Sequence, residues 1–178
     1  MFFKYPITIF IFFILALFQN SFLPFFNVMG VVPNLIFILF FILTFFGKSN
    51  EYNKGFFTAI VAGFFLDLFL PFYFGLSIIS LLIVYFLIKI IIYFLRDLPA
   101  QTGRQDKYLI FYFLSIFLFS FLVYNVLSSL LFNSFYLKLD FNKTIFVSFL
   151  YNLIFACFGF YIYKFIKKDS SDNQLKLF

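Results

Sequence analysis

The chain has 178 residues, of which 65% are hydrophobic and 11% charged, and a formal net charge of +6. With a mean hydropathy of +1.07, that composition belongs to an integral membrane protein and excludes an ordinary soluble domain. The basic residues lie in short pieces between apolar runs, which argues against nucleic acid as a partner and assigns the charge to topology and anionic lipid headgroups.

The apolar runs predict an all-α integral membrane protein, a bundle of six transmembrane helices in one domain. The helices are expected at about 5–23, 30–46, 55–70, 73–95, 108–132 and 144–166, with a cytoplasmic tail at 167–178. The first opens with Lys4 and Pro6 in the manner of a signal peptide. QNSFLPFF follows it instead of a small-residue cleavage site, so it is read as a retained helix. Gln19, near its end, is a polar group placed to bond across helices. The second run begins at GVVPNL, where Pro33 suits a first helical turn and Asn34 an ordinary helix-end hydrogen bond. It is short for a hydrocarbon core of roughly 30 Å, so it either begins nearer Val28 or sits among longer helices that shield its end.

The third run carries Asp67, the only acidic residue embedded in an apolar run. An aspartate near the middle of a transmembrane helix costs about 2.5 to 3.5 kcal/mol, so a partner or a purpose is expected. Gly55, Ala59, Gly63 and Asp67 recur at intervals of four and share one side of the helix, where small residues let another backbone approach. The neighbour is either another helix of the same chain, with Asp67 hydrogen-bonded inside the bundle, or a partner or ligand.

A tight Pro71-Phe72-Tyr73 connection leads to the fourth run, in which Lys89 is expected to snorkel to the interface. The loop 96–107 holds both arginines. The fifth run contains Asn125, Ser128 and Ser129, read as packing groups, and after the loop 133–143 the sixth contains Asn152 and the lone Cys157. With the N-terminus inside, the inner side holds Lys4, Lys48, Lys54, Arg96, Arg104, Lys107, Lys164, Lys167, Lys168 and Lys176, against Lys138 and Lys143 outside. Both termini are therefore expected in the cytoplasm.

Little chemistry is legible. The chain has no histidine, no phosphate-cradling glycine loop, no paired catalytic carboxylates and no nucleophile motif. No enzyme activity, cofactor or metal is expected, which leaves a scaffold within the membrane or a binder of a small solute.

The stretches ALFQNSFLPFFNVMGVVPNLIFIL and GFFLDLFLPFYFGLSIISLLIVYFL resemble the rod shape-determining protein MreD family of bacteria. In that family a helix ending in glutamine precedes a Gly-x-x-Pro-Asp-Leu-like start, and a Gly-x-x-x-Asp helix precedes a tight turn and a Gly-Leu start. The matching positions are Gln19, Gly30, Pro33, Leu35, Gly63, Asp67, Gly75 and Leu76, across about residues 10 to 95. Asn34 departs from the family's usual aspartate, and Pro71-Phe72-Tyr73 from a turn rich in Gly and Ser. The resemblance implies a non-enzymatic organiser in the bacterial cytoplasmic membrane, beside an MreC-like protein. It would connect MreB filaments indirectly with a RodA-like peptidoglycan polymerase and its transpeptidase. Taken with the small-residue face of the third run, which adds Ala59, it marks Gln19, Pro33, Asn34, Gly63, Asp67 and Gly75 as partner-binding or bundle-packing residues. The family is similar in turn to the six-helix substrate-binding components of energy-coupling factor vitamin transporters, which is the alternative reading.

Overall fold

The computed structural model describes residues 4–47, 52–69, 74–96, 105–132 and 143–175. Among them are six α-helices: α1 (Lys4–Ser21), α2 (Leu35–Phe46), α3 (Tyr52–Leu68), α4 (Leu76–Arg96), α5 (Gln105–Phe132) and α6 (Lys143–Leu175). A short 3-10 turn, Leu23–Phe26, and an isolated antiparallel bridge between Val28 and Val31 lie between α1 and α2. The Pro71-Phe72-Tyr73 connection and most of the loops 96–107 and 133–143 fall outside the described residues.

Three helices hold segments long and apolar enough to cross a membrane: Leu76–Phe94, Leu109–Leu130 and Phe146–Ile166. Tyr5–Ser21 and Leu35–Phe46 are apolar but shorter. The chain is thus an all-helical membrane protein, with three self-sufficient spans among the described residues rather than six.

The largest departure from the sequence reading is α2. Its expected start at Gly30 is prevented by the backbone: Met29 and Gly30 both have positive φ, 53° and 79°, and the chain folds back so that Val28 and Val31 exchange both backbone hydrogen bonds. Pro33 stands outside the helix, ahead of the Asn34 cap, instead of in the first turn. At the other end of the chain, α6 continues to Leu175, so the predicted tail is helical over most of its length.

What remains of α2 is 12 residues, about 18 Å at 1.5 Å per residue. It is apolar on every side, the mark of a helix that faces protein all round, and Ile36, Phe37, Ile38, Phe40, Phe41, Ile42 and Thr44 are all buried. α1, α3, α4 and α6 pack on it, and α5 meets it through a ladder of phenylalanines. Phe37, Phe41 and Phe45 on α2 and Phe113, Phe117 and Phe121 on α5 each recur every fourth residue, so each set forms one face. The two faces run antiparallel: Phe37 touches Phe117 and Phe121, Phe41 touches Phe113 and Phe117, and Phe45 touches Phe113. These are edge-on contacts at 5.1–5.9 Å between centroids, each worth about 0.5–1.5 kcal/mol beyond area burial. Such contacts matter in lipid, where apolar burial between helices brings little gain.

α3 and α4 form the most extensive helix pair. A Cβ on Gly63 would lie 2.5 Å from the Ile78 Cα and 2.7 Å from its nitrogen, and one on Gly55 would lie against the Tyr85 ring. Ala59 between them is fully buried. The neighbour that this small-residue face expects is therefore α4 of the same chain.

Candidate functional site

The polar residues singled out in the sequence gather at one end of the bundle, where α1 and α3 finish and α2 and α4 begin. A helix start leaves four backbone N–H groups without intrahelical acceptors, and inside a membrane no water meets them. Here side chains, most of them from neighbouring helices, meet several of these groups.

At α4 the first helical bond runs from the Ile79 nitrogen to the Gly75 carbonyl oxygen, which makes Gly75 the cap position. Its φ of +105° turns the chain out of the α3–α4 connection in a conformation that glycine adopts freely. The Gly75 N–H donates to Asp67 Oδ2 at 2.8 Å and the Ser77 N–H to Asp67 Oδ1 at 3.0 Å. Asp67 is 3% exposed, and both of its oxygens accept. A carboxylate at the positive end of α4 is also favoured by the helix dipole. This is the purpose that its depth requires: the last turn of α3 caps the first turn of α4.

The start of α2 is held by three side chains from three helices. Asn34 accepts from the Phe37 N–H through its own side-chain oxygen at 2.9 Å. Gln19 of α1 accepts from the Ile36 N–H at 3.2 Å, and Asn152 of α6 from the Asn34 N–H at 2.7 Å. Asn152, 1% exposed, is itself oriented by donating to the Ser148 carbonyl oxygen at 2.8 Å. At the opposite end of α2, Lys89 of α4 donates from Nζ to the Thr44 carbonyl oxygen at 3.2 Å, where the last carbonyls of α2 lack intrahelical donors. Lys89 thus caps a neighbour instead of only snorkelling.

Tyr124 of α5 lies near both capped starts, with Ser77, Ser128, Asn34 and Asp67 in its surroundings. The rest of the polar cluster on α5 is used locally: Asn125 donates to the Phe121 carbonyl oxygen and Ser129 to that of Val126. The buried hydroxyls of Thr44, Ser80 and Ser120 make no hydrogen bond.

Beside the start of α2 is a cavity of about 180 Å³, lined by Gln19, Asn20, Asn34 and Tyr124 together with Phe65 and Leu66 of α3. The helix N–H groups hold the Gln19 and Asn34 amide oxygens, so both amide nitrogens are turned from those donors.

The arrangement brings Gln19, Asn34, Asp67 and Gly75 together and sets Ala59 and Gly63 on the α3–α4 contact. Sequence reasoning noticed Asn152 and Lys89 without assigning them a role in capping α2, and passed over Tyr124. A lone asparagine in an apolar helix was the available signal for the first.

Leucine in place of Asn152 or Gln19 strands one α2 N–H, an expected loss of about 1–3 kcal/mol of stability. The loss should be larger for Asn152→Leu, whose bond is shorter and more deeply buried, and thermal unfolding of the purified variants checks the order. No protein-family model, curated protein or solved structure matches this chain.

Proposed function

We propose that this chain is a non-enzymatic organiser of the bacterial cytoplasmic membrane, of the MreD kind. It would hold an MreC-like protein beside a RodA-like polymerase and its transpeptidase, with MreB engaged indirectly, and so regulate cell shape. All six helices cross in this reading, α2 as a short central post, and both termini lie in the cytoplasm with the basic loops. One observation carries it: the polar residues that define the resemblance are committed to holding helix ends. Asp67, Asn34 and Gln19 each give their oxygens to backbone N–H groups of this chain. A protein whose intramembrane polar groups maintain its own architecture suits a scaffold whose work lies at its surface.

The carrier alternative asks for a cavity that encloses a vitamin, and ligand pockets usually measure roughly 300–1,000 Å³. The space beside Asn34, about 180 Å³ among the described residues, is smaller than that. α4 covers the face bearing Gly63 and Asp67, so a partner helix would take another surface. Affinity purification from bacterial membranes, with vitamin binding measured on the same preparation, tests the proposal. Recovery of MreC-like and RodA-like proteins is the expected result. A retained vitamin with neither partner would overturn it.

A further inference from the structure

We infer that residues 22–32, the connection between α1 and α2, form a preformed wedge embedded in lipid, in contact with phospholipid acyl chains of the leaflet farthest from Lys4. From the preceding reading this takes only that α1 and α2 cross the membrane in opposite directions.

The argument begins with length. α1 is 18 residues long, about 27 Å, and so climbs from Lys4 nearly across a core of roughly 30 Å. α2 returns over only about 18 Å. Its Gly47 end adjoins the polar stretch KSNEYNK, which belongs at the interface, so its Asn34 end stops well inside the far leaflet. The connecting residues must descend through the missing depth.

Their chemistry fits that position. No charged residue occurs between Lys4 and Lys48, an absence that a water-facing loop has no reason to keep. Phe25 and Met29 are the most exposed large apolar residues of the connection, at 84% and 69%, with Phe22, Phe26 and Val28 exposed beside them. The surface continues that of α1: Phe18, on the exposed side of the helix, stacks on Phe22 at 4.8 Å and Phe22 packs on Phe26 at 5.0 Å. One unbroken apolar face thus runs from the helix into the connection.

Part of the backbone is satisfied without water, which matters because hydrocarbon tolerates irregular chain only where its polar groups are met, while no hydrogen bond reaches the N–H groups of Asn27, Met29, Gly30 and Val32, whose place is toward the headgroups. The Phe22 N–H donates to the Phe18 carbonyl oxygen and the Phe25 N–H to that of Phe22, while Val28 and Val31 exchange both of theirs. The Asn27 side chain donates to the Pro24 carbonyl oxygen at 2.6 Å. Tyr151 of α6 donates to the Phe26 carbonyl oxygen at 3.1 Å, which fixes the wedge to the bundle. Pro24 has no N–H to satisfy.

The chain contains no tryptophan, so Phe25→Trp introduces a single reporter. The full-length variant is reconstituted in vesicles of phosphatidylethanolamine and phosphatidylglycerol, beside Phe86→Trp on the exposed face of α4 as a lipid-facing reference. The expected result is blue-shifted emission from position 25 that loses most of its intensity to acyl-brominated phospholipid, as position 86 does, and little to aqueous iodide. Strong quenching by iodide overturns the proposal by placing the segment in water. Quenching by neither also overturns it, since protein then covers the surface. If Phe25→Trp does not fold, Met29→Trp gives the same readings.

Discussion

Asp67→Leu is expected to destabilise the protein by roughly 3 kcal/mol or more. Hydrogen bonds to a charged group contribute about 1.5–3 kcal/mol each, and Asp67 makes two, to Gly75 and Ser77. Leucine removes both acceptors and leaves two N–H groups facing apolar side chains, at the point where α3 hands over to α4. Asp67→Asn keeps one acceptor and sets an NH₂ against the other donor, so it should lose about half as much. Unfolding of the purified variants, by heat or increasing denaturing detergent, should rank wild type above asparagine and asparagine above leucine. Equal losses would mean that the two-oxygen geometry is not what stabilises the turn, and no loss in either would mean that the carboxylate is idle.

The second large effect is expected from the smallest possible substitution. Alanine for glycine inside a helix ordinarily stabilises it by about 1 kcal/mol, yet at Gly63 the added methyl group would sit 2.5 Å from the Ile78 Cα. The obstacle is backbone and has no rotamer by which to move aside. The two helices must separate, loosening the register that also brings Gly75 and Ser77 to Asp67, and a loss of about 1–3 kcal/mol or more is expected. Gly159→Ala provides the contrast, because its methyl group would meet the end of the flexible Ile42 side chain at 2.6 Å, which can turn away. The same unfolding measurements should show a far larger loss at Gly63. Comparable losses would contradict the close approach of α3 and α4.

The helical class and most helix positions were legible because apolar runs of span length have few other outcomes in lipid. The small-residue face of α3 was legible for a similar reason, since glycine and alanine every fourth residue serve close approach. The identity of the neighbour was not, because such a face is alike whether a helix of the same chain or another protein meets it. The start of α2 was misplaced because Gly30 and Pro33 read as the opening of a helix when considered locally. Their actual place is set by acceptors far away in the chain: Gln19 and Asn152 can be assigned to the α2 start only once three helices have been brought together. Lys89 was read through its distance in sequence from the helix end, which says nothing of the Thr44 carbonyl that approaches it from α2.

The central physical claim is that a half-length helix stands in the middle of this bundle because side chains from other helices complete both of its ends. Hydrogen–deuterium exchange in lipid nanodiscs tests this most directly, on the backbone amides of Asn34, Ile36 and Phe37. In the unmodified chain all three should exchange as slowly as amides in the middle of α5, although they belong to a helix start. The double substitution Gln19→Leu and Asn152→Leu should speed the exchange of Asn34 and Ile36 while leaving the middle of α5 protected. Fast exchange at these amides in the unmodified protein would contradict the claim, since the end of α2 would then be open to water.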